Sequence, residues 1–319
     1  MADNGTPDQV GANAGTTPGA NAGTTPGANA GTTAGAAAGS VAGTTAADIP
    51  LIRLNDGNVI PQLGLGTFQM DDETARTTVR TALELGYRHI DGAWLYENEV
   101  GVGQGIRDAI DAGTVTREDV FLTTKIWNDR HRAADTRAAT EEALQRLGLD
   151  YVDLLLVHWP VPKQGLFAES YAEMLAMRGE GLTRSVGVAN FYTEVLDQLP
   201  EAPAVNQIEL HPAWPQDEQV ADDAERGIVT QCWSPLGRAK RLGVPEITGI
   251  AEEVGATPAQ VVLRWHLQRG LVPVPKSANP ERLRENLGVT GFELSDEHMA
   301  AIATLAGDTR MGPDPREFG

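Results

Sequence analysis

From Asp48 onward, short apolar runs alternate with longer stretches in which apolar positions recur every three or four residues. The runs fall at 64–67, 88–91, 120–125, 152–158, 185–189, 204–209, 228–234 and 271–276. They have the length and composition of buried strands. Between them, stretches such as 72–85, 133–147 and 257–269 carry the period of helices with one face on a core. Strands alternating with helices predict a parallel sheet of the α/β class. Eight such units within about 270 residues match a single (β/α)8 TIM barrel. Ahead of the first unit, Ile52, Leu54, Val59 and Ile60 flank the turn signal Asn55-Asp56-Gly57-Asn58, which predicts an N-terminal β-hairpin.

Residues 1–47 read differently. The octapeptide GANAGTTP begins at Gly11, repeats from Gly19 and decays from Gly27. Glycine, alanine, threonine and proline without aromatics bury too little to offset the entropy of ordering, so a disordered tail is expected there. The folded domain is expected to span 48–319.

The chain has 319 residues and a formal net charge of −19. Such a surface repels nucleic acid and anionic membranes, and neither is expected as a partner. Cys232 is the single cysteine, and neither a secretory leader nor a membrane-length apolar run is evident. These features point to a cytoplasmic protein, read here as a monomer acting on a small molecule. A doubly wound sheet is the rival architecture. Its glycine fingerprint has only one approximate match, Gly101-Val102-Gly103-Gln104-Gly105, which has the wrong spacing, follows no strand and reads as the start of a helix.

In a β/α barrel, chemistry gathers at the carboxyl ends of the strands. Those ends carry Asp91, Lys125 and His158, and Tyr96 lies in the loop leaving the same strand as Asp91. An ammonium beside a phenol stabilises phenolate and is expected to lower the phenol pKa, while an aspartate keeps the lysine charged. A neighbouring histidine can orient a carbonyl oxygen. His89 shares a strand face with Asp91, but no third ligand stands near and no metal is expected.

The segment Gly86-Tyr87-Arg88-His89-Ile90-Asp91 with Ala93, Tyr96, Asn98 and Glu99 resembles the aldo-keto reductase signature. Thr123-Thr124-Lys125-Ile126-Trp127-Asn128 and Leu155-Leu156-Val157-His158-Trp159-Pro160 are similar to the segments holding that family's catalytic lysine and histidine. The intervals also match, and the resemblance runs from Ile52 to Phe318. It implies an oxidoreductase that reduces aldehydes or ketones, with Tyr96 as general acid and Lys125, Asp91 and His158 as its catalytic partners. It also implies NADPH as the cofactor in preference to NADH. Asn190 and Gln207 would hold the carboxamide, and Trp233 would carry the nicotinamide ring. Ser234 and Leu236 would meet the pyrophosphate, with Gly66 and Thr67 counted among the cofactor-binding residues. Lys276, Ser277 and Arg282 would take the 2′-phosphate at a helix start, and Glu285 and Asn286 the adenine. Ala189, Trp233, Phe68 and Gly92 depart from the family's commoner residues.

The compact loops resemble those of the prokaryotic 2,5-diketo-D-gluconate reductase group, which implies keto-sugar acids as one substrate class. Trp127, Trp159, Phe68 and Trp94 would line the pocket, and Lys163, Arg238 and Lys240 could attract an acidic sugar.

Overall fold

The computed structural model describes residues 49–319, and the repeat-bearing segment expected to form a tail lies outside the described residues. Strand β1 (Leu51–Arg53) pairs antiparallel with β2 (Val59–Pro61). The turn closes where the Leu54 N–H donates to the Asn58 carbonyl at 2.9 Å. Gly57 adopts a φ of +94° in it, a conformation that a side chain would disfavour. Leu54 and Ile60 are buried among Phe121, Leu154, Leu156, Val205 and Val272. The hairpin therefore plugs the amino end of the barrel.

Eight parallel strands follow: β3 (Leu65–Gly66), β4 (His89–Asp91), β5 (Phe121–Ile126), β6 (Val152–Val157), β7 (Thr183–Ala189), β8 (Val205–Glu209), β9 (Val229–Trp233) and β10 (Val272–Pro273). Each pairs with its neighbour in chain order. The sheet closes on itself where Gly64 N–H and Gly66 N–H donate to the carbonyls of Pro273 and Pro275, at 3.0 and 3.1 Å. This explains why β10 is shorter than its apolar run. Pro273 and Pro275 have carbonyls to offer β3 but no N–H groups, so the seam is held from one side only.

The intervening helices are α1 (Asp72–Leu85), α2 (Glu99–Asp111), α3 (Ala133–Leu147), α4 (Phe167–Glu180), the single turn α5 (Thr193–Leu196), α6 (Asp217–Glu225), α7 (Pro245–Val254) and α8 (Pro258–Gln268). After β10 come α9 (Pro280–Leu287) and α10 (Asp296–Ala303). Strand alternation divides the side chains between two cores. Leu154 and Leu156 point into the barrel, whereas Leu155 and Val157 join the layer beneath the helices. The same alternation places Lys125 on the interior face of β5 with Phe121, and Asp91 on that of β4 with His89.

The glycine triplet lies within α2 and serves packing. A Cβ on Gly101 would overlap the Asp72 carbonyl oxygen of α1, and one on Gly103 the Leu147 carbonyl oxygen of α3. Because backbone cannot step aside as a side chain end can, Gly103→Ala is expected to destabilise the fold by about 2 kcal/mol. Urea unfolding measures this, and an unchanged midpoint would mean that α2 and α3 separate freely.

Among the described residues, no helix is long and apolar enough to cross a membrane, and no three His, Cys, Asp or Glu side chains gather to hold a metal. His89 is a core residue, its Nδ1 meeting the Pro61 carbonyl at 3.2 Å and its Nε2 facing Gln231.

Candidate active site

The four polar residues at the strand ends converge on the carboxyl mouth. Lys125 is fully buried, and its Nζ lies 2.8 Å from Asp91 Oδ2, 2.7 Å from the Gly92 carbonyl and 3.4 Å from Tyr96 Oη. The other Asp91 oxygen accepts from Gln207 Nε2 at 2.7 Å. Both carboxylate oxygens are thus directed, and with them the ammonium. Burial would strip the Lys125 proton, but Asp91 and the Tyr96 oxygen outweigh it and hold the pKa above its usual value.

Tyr96 sits in a one-turn 3-10 helix, Trp94–Tyr96. Its loop is pinned from behind, because Asn98 Nδ2 donates to the Thr67 and Met70 carbonyls at 2.9 Å each. Glu99 accepts from Thr124 Oγ1 and Arg146 Nε, at 2.6 and 2.8 Å. These two signature residues therefore act as scaffolding for the phenol.

The expected fall in the phenol pKa is corrected by the structure. Burial raises it, Lys125 lowers it and Asp91 raises it again, for a net rise above 10.0. The lysine effect is present, but desolvation of the phenolate exceeds it. At neutral pH the hydroxyl carries its proton.

His158 follows β6, and burial, assisted by Lys125 and His131, holds its pKa well below 6.5, so the imidazole is neutral. Its ring meets Tyr96 edge-on at 6.1 Å between centroids and Trp127 at 5.0 Å. Phe68 lies 5.0 Å from Tyr96. Phe318, which the sequence reading passed over, lies 4.5 Å from Trp159 and 6.3 Å from Trp127. The mouth is thus walled by aromatic rings. The Trp94 ring lies beside the guanidinium groups of Arg130 and Arg146.

Asn190 and Ser234, just past β7 and β9, adopt positive φ values of 63° and 49°. Asn190 Nδ2 donates to the His158 carbonyl at 3.0 Å, and its Oδ1 accepts from Trp233 Nε1 at 2.9 Å. Amide, indole and histidine form one connected rim, beside which Leu236 is partly buried. Thr67 donates to the Asp91 carbonyl through Oγ1 at 3.0 Å, and Gly66 lies at the barrel seam.

At the far end, Lys276 and Arg282 are exposed and form no ion pair among the described residues, while Ser277 between them is buried. Asn279 Oδ1 already accepts from the N–H groups of Glu281 and Arg282, so the first turn of α9 is less open to an anion than the sequence suggested. Glu285 Oε1 accepts from Thr257 Oγ1 at 2.6 Å, and Asn286 is almost fully buried.

A model of the Aldo/keto reductase family matches residues 62–306. The chain belongs to that family. It is 49% identical over 273 residues to an aldo-keto reductase of Mycolicibacterium smegmatis, covering 84% of this chain and 98% of that one. It is 44% identical over 280 residues to the methylglyoxal reductase DkgA of Escherichia coli, covering 86% and 99%. Among solved structures, a Bombyx mori aldo-keto reductase in complex with NADP superposes with a TM-score of 0.80 at 37% identity, covering 85% of this chain and 97% of that one. A Gox0644 variant in complex with NADPH also superposes at 0.80, with 40% identity and coverage of 85% and 99%. The 2,5-diketo-D-gluconate reductase group is not named among these relatives.

Two residues at the mouth of this family member had little local signal. Phe318 lies in a polar terminal segment, and Glu209 reaches its partners Met311 and Gly312 across 102 and 103 positions of chain. An aromatic close to the end of an otherwise polar segment is the one hint the sequence offered.

Proposed function

We propose that the protein reduces aldehyde and ketone carbonyls to alcohols with NADPH, Tyr96 being the proton donor. The observation that carries this reading is the buried ammonium of Lys125, set between the Asp91 carboxylate and the Tyr96 hydroxyl at a mouth walled by aromatic rings. As a carbonyl oxygen gains negative charge it takes the Tyr96 proton, and Lys125 stabilises the phenolate left behind. Because the ammonium is already oriented by Asp91 and Gly92, it needs no reorganisation at that moment. Neutral His158 is suited to hydrogen-bond the same oxygen and set its direction.

NADPH, when bound, supplies the hydride. The residues present suit it: Asn190 and Gln207 offer amides beside the four polar groups, and Trp233 offers a ring whose N–H is fixed. Lys276 and Arg282, which form no ion pair among the described residues, are cations on a strongly acidic chain and flank the Ser277 hydroxyl. These match a phosphomonoester, which NADPH has and NADH lacks. Arg282→Ala is therefore expected to weaken NADPH about tenfold or more, the value of one charge-assisted contact, and NADH by less than about twofold. Titration by protein fluorescence measures both, and equal losses would place the 2′-phosphate elsewhere.

Small 2-oxoaldehydes suit the aromatic walls, in keeping with the similarity to the methylglyoxal reductase of E. coli. Keto-sugar acids such as 2,5-diketo-D-gluconate are a second reading, favoured by Lys163, whose ammonium donates to the Glu317 carbonyl next to Phe318. Oxidation of NADPH in the presence of methylglyoxal, neutral aldehydes and an acidic keto-sugar, followed by absorbance, tests the function and separates the substrate classes. Failure to oxidise the cofactor with any member of the panel would overturn the proposal.

A further inference from the structure

After α10 the chain does not leave the domain but returns over the mouth. One carboxylate receives it. Glu209, the last residue of β8, is fully buried, and its Oε1 and Oε2 accept from the consecutive N–H groups of Met311 and Gly312 at 2.6 and 2.8 Å. His211 Nε2 adds a third contact to Oε1 at 3.2 Å. Burial opposes the charge on Glu209, but His211 and the two backbone donors outweigh it, so the carboxyl stays below its usual pKa.

The landing site is tight. A Cβ on Gly312 would overlap the six-membered ring of Trp233, so the segment lies directly against the proposed nicotinamide platform. Beyond it the chain is gripped repeatedly. Arg316 lies over the Tyr192 ring at 4.2 Å and Phe318 meets Trp159. Glu209 also sits two positions from Gln207, which orients Asp91. One strand end thus directs the acid–base group with one side chain and the roof of the pocket with the next inward-facing one.

We propose that Glu209 is a specificity-determining positioning residue, whose carboxylate latches the 311–319 segment so that Phe318 closes the aromatic pocket and Trp233 is held flat. The contacts are unlike ordinary surface capping. Two adjacent backbone donors on a single buried carboxylate fix both the position and the direction of the segment, and charge-assisted bonds are the stronger kind. The exposed ion pair of Arg316 with Glu194 at 3.5 Å contributes far less. The inference rests on the carbonyl-reductase reading, and wild-type turnover of methylglyoxal with NADPH tests that reading separately.

Glu209→Gln leaves one acceptor oxygen and turns an amide N–H toward a backbone N–H, which repels the segment. In full-length protein, the KM for methylglyoxal is expected to rise about tenfold with kcat changed less than about threefold, as for the loss of one charge-assisted bond used in binding. The preference for a bulky aromatic aldehyde over methylglyoxal should rise by a similar factor. Amide exchange in the 308–319 peptide should accelerate about tenfold or more, while exchange in β4 and β5 stays as in the wild type. Glu209→Asp, which keeps both acceptors, should recover part of the exchange protection and of the KM. If Glu209→Gln fails to fold, Phe318→Ala carries the test, because it removes the closing ring with the latch intact and must reproduce the shift in preference. Unchanged exchange in the terminal peptide overturns the latch. Faster exchange with unchanged KM and unchanged preference overturns its role in specificity, as does a Phe318→Ala variant that keeps the wild-type preference.

Discussion

Tyr96→Phe is expected to lower kcat for aldehyde reduction by about a thousandfold, within the range that loss of a positioned proton donor produces. The phenol oxygen has one protein partner among the described residues, Lys125 Nζ at 3.4 Å, so the fold should not register its removal. NADPH affinity should change by less than about twofold, because the hydroxyl is assigned to the carbonyl oxygen rather than to the cofactor. Single-turnover absorbance separates the two quantities, and near-normal kcat would remove Tyr96 from its role. The pH profile offers a second check. Since the phenol pKa is raised above 10.0, chiefly by burial, the donor should remain protonated throughout the neutral range. An alkaline loss of activity centred well below 10 would then have to come from another group.

The second large effect concerns stability in acid. His89, His131 and His266 are buried, and desolvation lowers each pKa from 6.5 to about 4. An unfolded chain protonates these rings near 6.5, whereas the folded one resists until about 4. Protons therefore favour the unfolded state across that window. Their contribution is fully present above about 6.5 and is lost as the pH falls toward 4. Each shift corresponds to about 3 kcal/mol, so three amount to on the order of 10 kcal/mol, comparable with the whole stability of a domain. Asp223 opposes this trend: burial raises its pKa from 3.8 to about 6, so it loses stability as the pH rises. Asp153, also raised by burial, acts in the same sense, while His158, held well below 6.5, joins the three histidines, so four imidazoles stand against two carboxyls. Urea midpoints should fall steeply between about pH 6.5 and pH 4.5, and a flat profile would show that these rings are not held neutral. His131 is the best single test, because neither ring nitrogen has a partner among the described residues. His131→Leu should make the slope measurably shallower with no hydrogen bond lost.

Some parts of the molecule were legible from pattern alone. The helices expected at 72–85 and 133–147 are α1 and α3 residue for residue. Capping residues and left-handed glycines punctuate the chain locally: Asp71 accepts from Thr74 N–H at one end of α1, and Gly86 closes the other. The strands were found in place and order, with ends at most three residues adrift. Strand ends depend on which neighbour is there to accept a hydrogen bond, as β10 illustrates with its alternating prolines. The convergence of Asp91, Lys125 and His158 was legible too. In a closed parallel sheet, the last residues of successive strands must share one rim.

Electrostatic balance was not legible. The sign of the Tyr96 shift depends on how much water the phenol loses, which is a property of the packed mouth and not of the lysine's identity. The roles of Trp94, Glu285 and Asn286 also turn on direction. Trp94 has the Arg130 and Arg146 guanidinium groups beside it, Glu285 accepts from Thr257 Oγ1 and Asn286 is almost fully buried. A residue's place in a loop follows from sequence order, but its rotamer is chosen by neighbours that arrive from elsewhere.

By itself, then, the amino-acid order determined the alternation of strands and helices, the closure of eight units into a barrel and the strand ends that carry the four polar groups. These follow from periodicity and local capping, which act over a few residues. Only the tertiary structure decided that the phenol keeps a raised pKa, that the glycine triplet is a helix-packing device, and that the chain's last residues are drawn back to Glu209 over the mouth. Those outcomes depend on desolvation and on contacts between separate elements, in the case of Glu209 more than 100 positions apart, and no local pattern encodes such meetings.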